Sequence, residues 1–427
     1  MLYTRDYKID NSGNSDVTTL LQNLINEAQN DAIYIDGGTY LVSNLYVNSN
    51  TEIILDSNSI ILGTNEESKY DIIKTRVAGI NMDWYPAIIN VIDANNVKIS
   101  GGKIVGAGEY FYEKYWGRDK KGGMRKEYDS KGLRWACDYD CKRVRNMLIS
   151  NSFNVEIKDI KLYESGFWNI HILYSHDILI DNVYIKSDCK FAPSTDGIDV
   201  DSSHDIKIIN SVISTNDDSI SLKSGRDYDG YITNIPTYNV TIKNCVFYNG
   251  YGISFGSELS AGIYDIDISH IALFKTDCAI RIKSSESRKG YVKNINIKNI
   301  VALDVKYLFN FNLDWNKGYS KASLPKGVQK KDYYDSLLKK IEKEPNTLVS
   351  NINVDYVFSE VFDSKISRIF TLIGYDDVHM NNISFNHMNI VMKEYGIIKN
   401  VDGFEVNKSI LSYDKDYIKK NDDFDNR

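Results

Sequence analysis

The sequence predicts an all-β chain wound as a parallel β-helix, a solenoid with a helix capping its N-terminal end. Three observations predict it. The first is a weak repeat: Asn or Asp, then Val or Ile, any residue, and Ile, Val or Phe. It occurs as NVKI (Val97), NVEI (Val155), DILI (Ile178), DIKI (Ile206), NVTI (Val240), DIDI (Ile266), NINI (Ile295), NINV (Ile352) and NISF (Ile383). Successive anchors from Val155 lie 23, 28, 34, 26, 29, 57 and 31 residues apart, as expected when each coil lays a strand on the equivalent strand of the coil before. A sandwich gives no reason for one tetrapeptide to return at such intervals. The second is composition, with 31 Tyr against 5 Pro in 427 residues and many Ile, Asn and Asp; Tyr and Ile favour strands, and Asn tolerates tight turns. The third is a change of period near residue 30, from helical spacing to short strands.

In chain order, residues 16–28 read as a helix, with Asp16 as cap and Val17, Leu20, Leu21, Leu24, Ile25 and Ala28 at helical spacing. Residues 1–30 thus form a cap over the open end, where strand edges and core need cover. Short strands follow at 32–35, 39–42, 44–47, 51–55 and 59–62, each bounded by Gly, Asn, Asp or Ser. Residues 106–146, rich in Gly, Lys and aromatics, read as a long loop over one face. The 57-residue gap is one coil with an insertion or two coils, and YYDSLLKKIEKE within 316–346 reads as a short helix on an inserted loop. The tail, 407–427, reads as solvated and frayed. No linker composition interrupts the chain, so residues 1–427 are expected to form a single domain.

Composition excludes several classes. The net charge is −7 and no dense Lys/Arg run occurs, so nucleic acid is not an expected partner. No apolar run reaches the about 18 residues of a transmembrane helix, so no membrane partner is expected. MLYTRDYKID lacks the basic and apolar regions of a signal peptide. The expected location is cytoplasmic if Met1 is the native start, and periplasmic or secreted if a signal was removed. The five cysteines, Cys137, Cys141, Cys189, Cys245 and Cys278, are read as buried free thiols, since no second Cys/His pair completes a zinc site.

The densest chemistry lies in Ser194–Arg226, which carries Asp196, Asp199, Asp201, Asp217 and Asp218. Counted from their anchors, Asp217 and Asp218 fall 11 and 12 residues after Ile206, Tyr251 falls 11 after Val240, and Arg281 falls 15 after Ile266 with Lys283 two further on. Trp168 falls 13 after Val155, and Asp196 falls 18 after Ile178 across a bulging loop. One face of adjacent coils is therefore expected to hold three carboxylates between an Arg/Lys pair and an aromatic, with Arg281 and Lys283 pointing the same way. Paired carboxylates suit an inverting glycosidase: one protonates the leaving oxygen and the other activates water. The cationic pair suits an anionic sugar. Lys223 and Arg226 are candidate subsite cations, Trp168 a candidate sugar platform or a packing residue, and Tyr251 a cleft or packing residue. Asp199 and Asp201 read as turn and solvent-face residues. Trp84, Trp116 and Trp135 are candidates for shaping the cleft, and the six histidines read as structural.

At these residues the chain resembles family 28 of the glycoside hydrolases, the polygalacturonases and their relatives. The motifs are Thr195–Gly197 (TDG), Asp217–Asp218, Gly252–Glu258 (GISFGSE) and Arg281–Lys283 (RIK), in the family's order. TRVAGINMDW (75–84), YWGRDKKGGMR (115–125), GLRWACDYDCKRVRN (132–146) and SGFWNIHILYSHDILIDNV (165–183) resemble a bacterial, exo-acting branch. The resemblance implies a right-handed parallel β-helix, hydrolysis of α-galacturonosyl bonds in pectic oligosaccharides with inversion, and no metal or other cofactor. By match, Asp217 would be the general acid, Asp196 and Asp218 would hold and activate water, and Arg281 and Lys283 would bind the galacturonate carboxylate. Two positions depart from the family: Thr195 replaces its usual Asn, and Tyr251 replaces the histidine of its Gly-His-Gly. Tyr does not titrate near neutrality, which keeps a rhamnogalacturonan-type substrate in view. A Ca²⁺-dependent lyase using Asp196, Asp199 and Asp201, and a non-catalytic carbohydrate-binding β-helix, are the alternatives from other classes. The oligomeric state is left open.

Overall fold

The computed structural model describes residues 1–28 and 30–414. Its repeat is the one visible in the sequence. Val97 pairs with Val155, Val155 with Ile178, Ile178 with Ile206, and Ile206 with Val240. Val240 pairs with Ile266, Ile266 with Ile295, Ile295 with Ile352, and Ile352 with Ile383. Every pairing is parallel, so each anchor sits directly over the last. Ile295 meets Ile352 with no strand between them, so the 57-residue gap is one coil carrying an insertion.

The residue before each anchor explains the polar half of the repeat. Asn96, Asn154, Asp177, Asp205, Asn239, Asp265, Asn294, Asn351 and Asn382 all have φ between 51° and 58°. Among non-glycine residues, Asn and Asp enter this left-handed region most readily. Stacking these turns also stacks their side chains. Asn154 donates to Asn96 at 2.6 Å, Asn294 to Asp265 at 2.9 Å and Asn382 to Asn351 at 2.7 Å. A neighbouring outer row stacks Phe153, His176, His204, Tyr238 and Tyr264 with ring centroids 4.6–5.3 Å apart, so two of the histidines read as structural are indeed stacked in a ladder.

Among the described residues the strands form a 19-stranded sheet, an 11-stranded sheet and one antiparallel hairpin, Ile73–Val77 with Ile80–Trp84. In the 11-stranded sheet each strand hydrogen-bonds to the next in chain order, from Leu45–Tyr46 to Glu394–Lys399. Inward rows are aliphatic and aromatic and form one continuous core running from Ile9 to Met392. The N-terminal region differs from a helix alone. Strands Leu2–Tyr3 and Ser12–Asp16 pair parallel with the next coil, and the helix Thr18–Glu27 lays Leu21, Leu24 and Ile25 on the core. Leu20 points outward at 52% exposure. Asp16 accepts the Thr18 N–H at 2.9 Å.

Residues 106–146 are not an irregular loop. They fold as three short helices, Gly108–Trp116, Gly123–Ser130 and Arg134–Asp140, whose buried Phe111, Tyr112, Tyr115, Trp135 and Tyr139 hold them down. Within 316–346 the helices Lys317–Ser320 and Tyr334–Leu338 form. The two insertions meet: the Trp135 indole donates to the Ser323 carbonyl at 3.1 Å and packs against Tyr334, and Lys331 pairs with Asp140 at 2.7 Å. Of the tail read as frayed, Ile410–Ser412 is a strand paired to Met380–Val391, while 415–427 lie outside the described residues. Four cysteines are buried, and Cys189 is half-buried.

Ile206 is fully buried in the core row, whereas its neighbour Lys207 faces solvent. Ile206→Ala is therefore expected to lower stability by about 2–5 kcal/mol, and Lys207→Ala to change it by less than about 0.5 kcal/mol, read by denaturant unfolding. Equal costs would contradict the inward register.

Candidate active site

The 11-stranded sheet turns one face inward and the other toward the two insertions. On its outer face the rows become polar. His171 pairs with Asp199, Asp199 with Ser221, Ser221 with Ser254, and Ser254 with Arg281, so these residues form one line across successive coils. One row along, Asp201 pairs with Lys223, and at the strand starts Asp218 pairs with Tyr251. Parallel stacking, with coils ~4.8 Å apart, is what makes side chains distant in sequence into neighbours.

Asp196, Asp217 and Asp218 converge, with one oxygen from each lying within 4.8 Å of the others. They face a cavity of about 140 Å³ whose wall includes Lys223, Tyr251, Glu258, Arg281 and Lys283 from the coils. The insertions complete it with Arg134, Asp138, Trp315 and Tyr319. Two larger hollows, of about 710 and 770 Å³, lie elsewhere. Neither contains the converging carboxylates, so chemistry rather than volume picks out the smaller one.

Asp218 is the fixed member of the trio. Its Oδ1 accepts from Ser254 Oγ at 2.6 Å and from Arg281, and its Oδ2 accepts from Lys283 Nζ at 2.8 Å. Burial opposes its ionisation, but the Arg281 and Lys283 charges outweigh it and hold the carboxyl far below the usual range. Asp217 is pushed the other way, by burial and then by the Asp218 charge. Its side chain retains 37% exposure, against 5% for Asp196 and 1% for Asp218. Asp196 is raised to about 7 by burial and then by the Asp217 charge. Burial and the neighbouring charges thus drive the three carboxyls apart: Asp218 is held toward its ionised form, and Asp217 and Asp196 are pushed upward.

Lys223 ties the cluster together. Its ammonium lies 3.4 Å from Asp196, 3.2 Å from Asp199 and 3.3 Å from Glu258, and 4.4 Å above the Trp168 ring. Tyr251 lies beneath the Arg281 guanidinium, 3.6 Å from ring centroid to carbon, so its ring supports the cation. A side chain at its neighbour Gly250 would place Cβ 2.4 Å from the Asp217 carbonyl oxygen, and φ there is +47°, which accounts for glycine at this close approach.

Several sequence expectations are corrected here. Asp199 and Asp201 are not solvent-facing: both are fully buried, and Asp201 pairs with Arg76 at 3.0 Å. Arg226 does not line the cavity. Fully buried, it donates to the Tyr139 hydroxyl at 2.9 Å and the Tyr319 carbonyl at 2.6 Å, pinning both insertions to the coils. Trp168 lines the cavity, but Lys223 covers one ring face and Phe167 stacks at 4.9 Å, which leaves no open platform for a sugar. Trp84 and Trp135 are buried supports, and Trp116 lines one of the larger hollows instead. Sequence reasoning assigned no role to Glu258, although it closes the GISFGSE motif, nor to Trp315, Tyr319, Arg134 or Asp138, whose insertions carry no repeat to register them.

The family model for glycosyl hydrolases family 28 matches residues 42–355. The chain belongs to glycosyl hydrolase family 28. It is 26% identical over 317 residues to a probable polygalacturonase of Vitis vinifera, a match covering 70% of this chain and 60% of that protein. The chain therefore spans less than two thirds of that relative's length. It is 26% identical over 306 residues to an endo-polygalacturonase of Pectobacterium carotovorum, covering 68% of this chain and 70% of the relative. Among solved structures it superposes on a hyperthermoactive exopolygalacturonase from Thermotoga maritima with a TM-score of 0.77 and 22% identity, covering 98% of this chain and 93% of the other. These likenesses establish the right-handed parallel β-helix.

Like Asp218, Glu258 is held low: burial opposes its ionisation, but Lys223, Arg288 and Arg226 prevail. A carboxyl with a depressed folded pKa adds stability that is present above its unfolded value, about 4, and is lost as pH falls through the folded value. The melting temperature is expected to drop steeply between about pH 4 and about pH 2, and less steeply in Glu258→Gln. Identical slopes for the two proteins would contradict the pairing.

Proposed function

We propose that the chain hydrolyses α-galacturonosyl bonds of pectic oligosaccharides from a chain end, with inversion. The observation that carries this reading is the opposite treatment of two adjacent carboxyls, Asp217 and Asp218. Asp217, pushed toward its protonated form by burial and the Asp218 charge and the most exposed of the three, is suited to donate to the leaving oxygen. Asp218, kept ionised, is suited to polarise water together with Asp196. The Lys283 ammonium has three donors and spends one on Asp218, which leaves capacity for a sugar carboxylate alongside Arg281.

Inversion is supported by the occupancy of Asp218. In a retaining enzyme a carboxylate attacks the anomeric carbon; here Ser254 and Arg281 on Oδ1 and Lys283 on Oδ2 blunt Asp218 as a nucleophile and leave one Oδ2 acceptor site for water. The carboxylates are closer than the about 6.5–9.5 Å usual for a two-carboxylate inverting pair. In this reading the base is divided between Asp196 and Asp218, and water is held between those two. The Ca²⁺-dependent lyase is disfavoured because side-chain cations already serve its three carboxylates, Lys223 at Asp196 and Asp199 and Arg76 at Asp201. Chain-end action is supported by the cavity: at about 140 Å³ it lies below the about 300–1,000 Å³ of typical ligand sites. The two insertions wall it, leaving space on the scale of one sugar unit.

Short oligogalacturonates incubated with the protein are expected to lose saturated terminal units one or two at a time. Asp217→Asn is expected to lower kcat by about 10²–10⁴-fold, the usual contribution of a positioned acid. Unsaturated products, random internal cleavage, or full activity in Asp217→Asn, each seen by mass spectrometry, would sink this reading.

A further inference from the structure

Asp199 is a buried carboxyl that the mechanism above does not use. Its side chain has no solvent exposure, and neither oxygen accepts a hydrogen bond, although Lys223 Nζ lies 3.2 Å from Oδ1. Leaving an ionised carboxylate in such a place is costly. The surrounding charges do not remove that cost. Lys223 also serves Asp196 at 3.4 Å and Glu258 at 3.3 Å, so one cation faces three carboxyls.

The other elements packed around Asp199 supply little more. On the preceding coil His171 is opposite it in the sheet, and burial lowers that imidazole to about 4, so it is neutral. Arg145, another coil back, feels the Asp199 charge but forms no ion pair with it, and its guanidinium bonds to His171 at 2.6 Å instead. Ser221 is its partner on the following coil. Asp201, two residues on, pairs through Oδ1 with Arg76 at 3.0 Å, and its Oδ2 lies 3.6 Å from His171 Nε2. Asp196 is the remaining neighbour, close enough to share a hydrogen bond once either carboxyl carries a proton.

We propose that Asp199 is a protonated positioning residue, whose carboxyl O–H donates to the Asp196 carboxylate and holds it in register with the catalytic water. The proton belongs on Asp199 rather than on Asp196 because Asp199 is sealed from solvent while Asp196 opens on the cavity. A hydrogen bond to the charged form of Asp196 favours that form. Asp196 thus ionises at lower pH than burial and the Asp217 charge alone would allow, consistent with the raised pKa of Asp199 itself. The catalytic consequence rests on the function proposed above; the protonation state does not.

Two variants separate a neutral donor from a charged partner. Asp199→Asn keeps the shape and supplies an N–H donor, and is expected to retain kcat within about threefold of wild type. Asp199→Ala removes the donor, and is expected to lose at least about tenfold in kcat and to move the acid limb of the pH–rate profile upward by about one unit. Melting temperatures check that both variants fold. Independently of activity, the wild-type minus Asp199→Asn infrared difference spectrum at neutral pH should show a protonated-carboxyl band, which persists in the wild-type minus variant difference when both proteins also carry Asp217→Asn. Absence of that band, or a folded Asp199→Asn as impaired as Asp199→Ala, overturns the proposal. If the band is present but wild type cleaves no pectic oligosaccharide, the function fails while the protonated Asp199 stands.

Discussion

Charges from four successive coils share a space nearly closed to water, and the strand register is what makes them neighbours. Ser254 sits between Asp218 and Arg281 because their strands are consecutive rungs of one parallel ladder. Within that ladder no charge is free-standing. Removing one partner of a buried pair typically costs about 3–5 kcal/mol, because the charge left behind has lost its water as well as its neighbour. The aliphatic core therefore has a second duty beyond stability: Ile220, Ile253 and Ile280, stacked on one another inside the coil, fix the height at which Asp218, Tyr251 and Arg281 emerge outside it.

The coils provide the carboxylates and their counter-charges, and the insertions provide the enclosure. Arg226 joins the two systems: it rises from the end of the Asp218 strand and holds Tyr139 of one insertion and Tyr319 of the other. Tyr319 in turn donates to Glu258 at 2.8 Å, and Glu258 meets Lys223. A continuous polar path thus runs from the wall of the cavity to its floor. The wall limits what enters, and the same contacts help set the charge balance at the floor. Tyr251 belongs to this arrangement as a support under Arg281, which accounts for an aromatic ring at that position.

The repeat was legible because it has a physical basis that a sequence displays. An Asn or Asp in the left-handed region followed by an inward Val or Ile marks each coil, so anchors could be aligned and Asp196, Asp217, Asp218, Arg281 and Lys283 placed together. Burial on the outer face was not legible. Asp199 and Asp201 alternate with inward Ile198 and Val200, a pattern that normally signals solvent, but the Ile73–Trp84 hairpin, whose Arg76 meets Asp201, and the insertions turn that face into an interior. Arg226 follows the Asp218 strand as a subsite cation would, yet its surroundings come from helices near residues 139 and 319 whose placement no repeat announces. The three helices of 106–146 were hidden by Gly and charged residues, and their stability comes from packing against the coils rather than from helix propensity.

The crowded carboxylates are proposed to divide into a proton donor, Asp217, and a water-activating pair, Asp196 and Asp218. The most direct measurement is proton NMR of the first product released from digalacturonate, recorded before mutarotation mixes the anomers. Direct attack of water on the α-linked sugar predicts the β-anomer first. First appearance of the α-anomer would mean a covalent intermediate, and would contradict the proposed role of Asp218 in activating water.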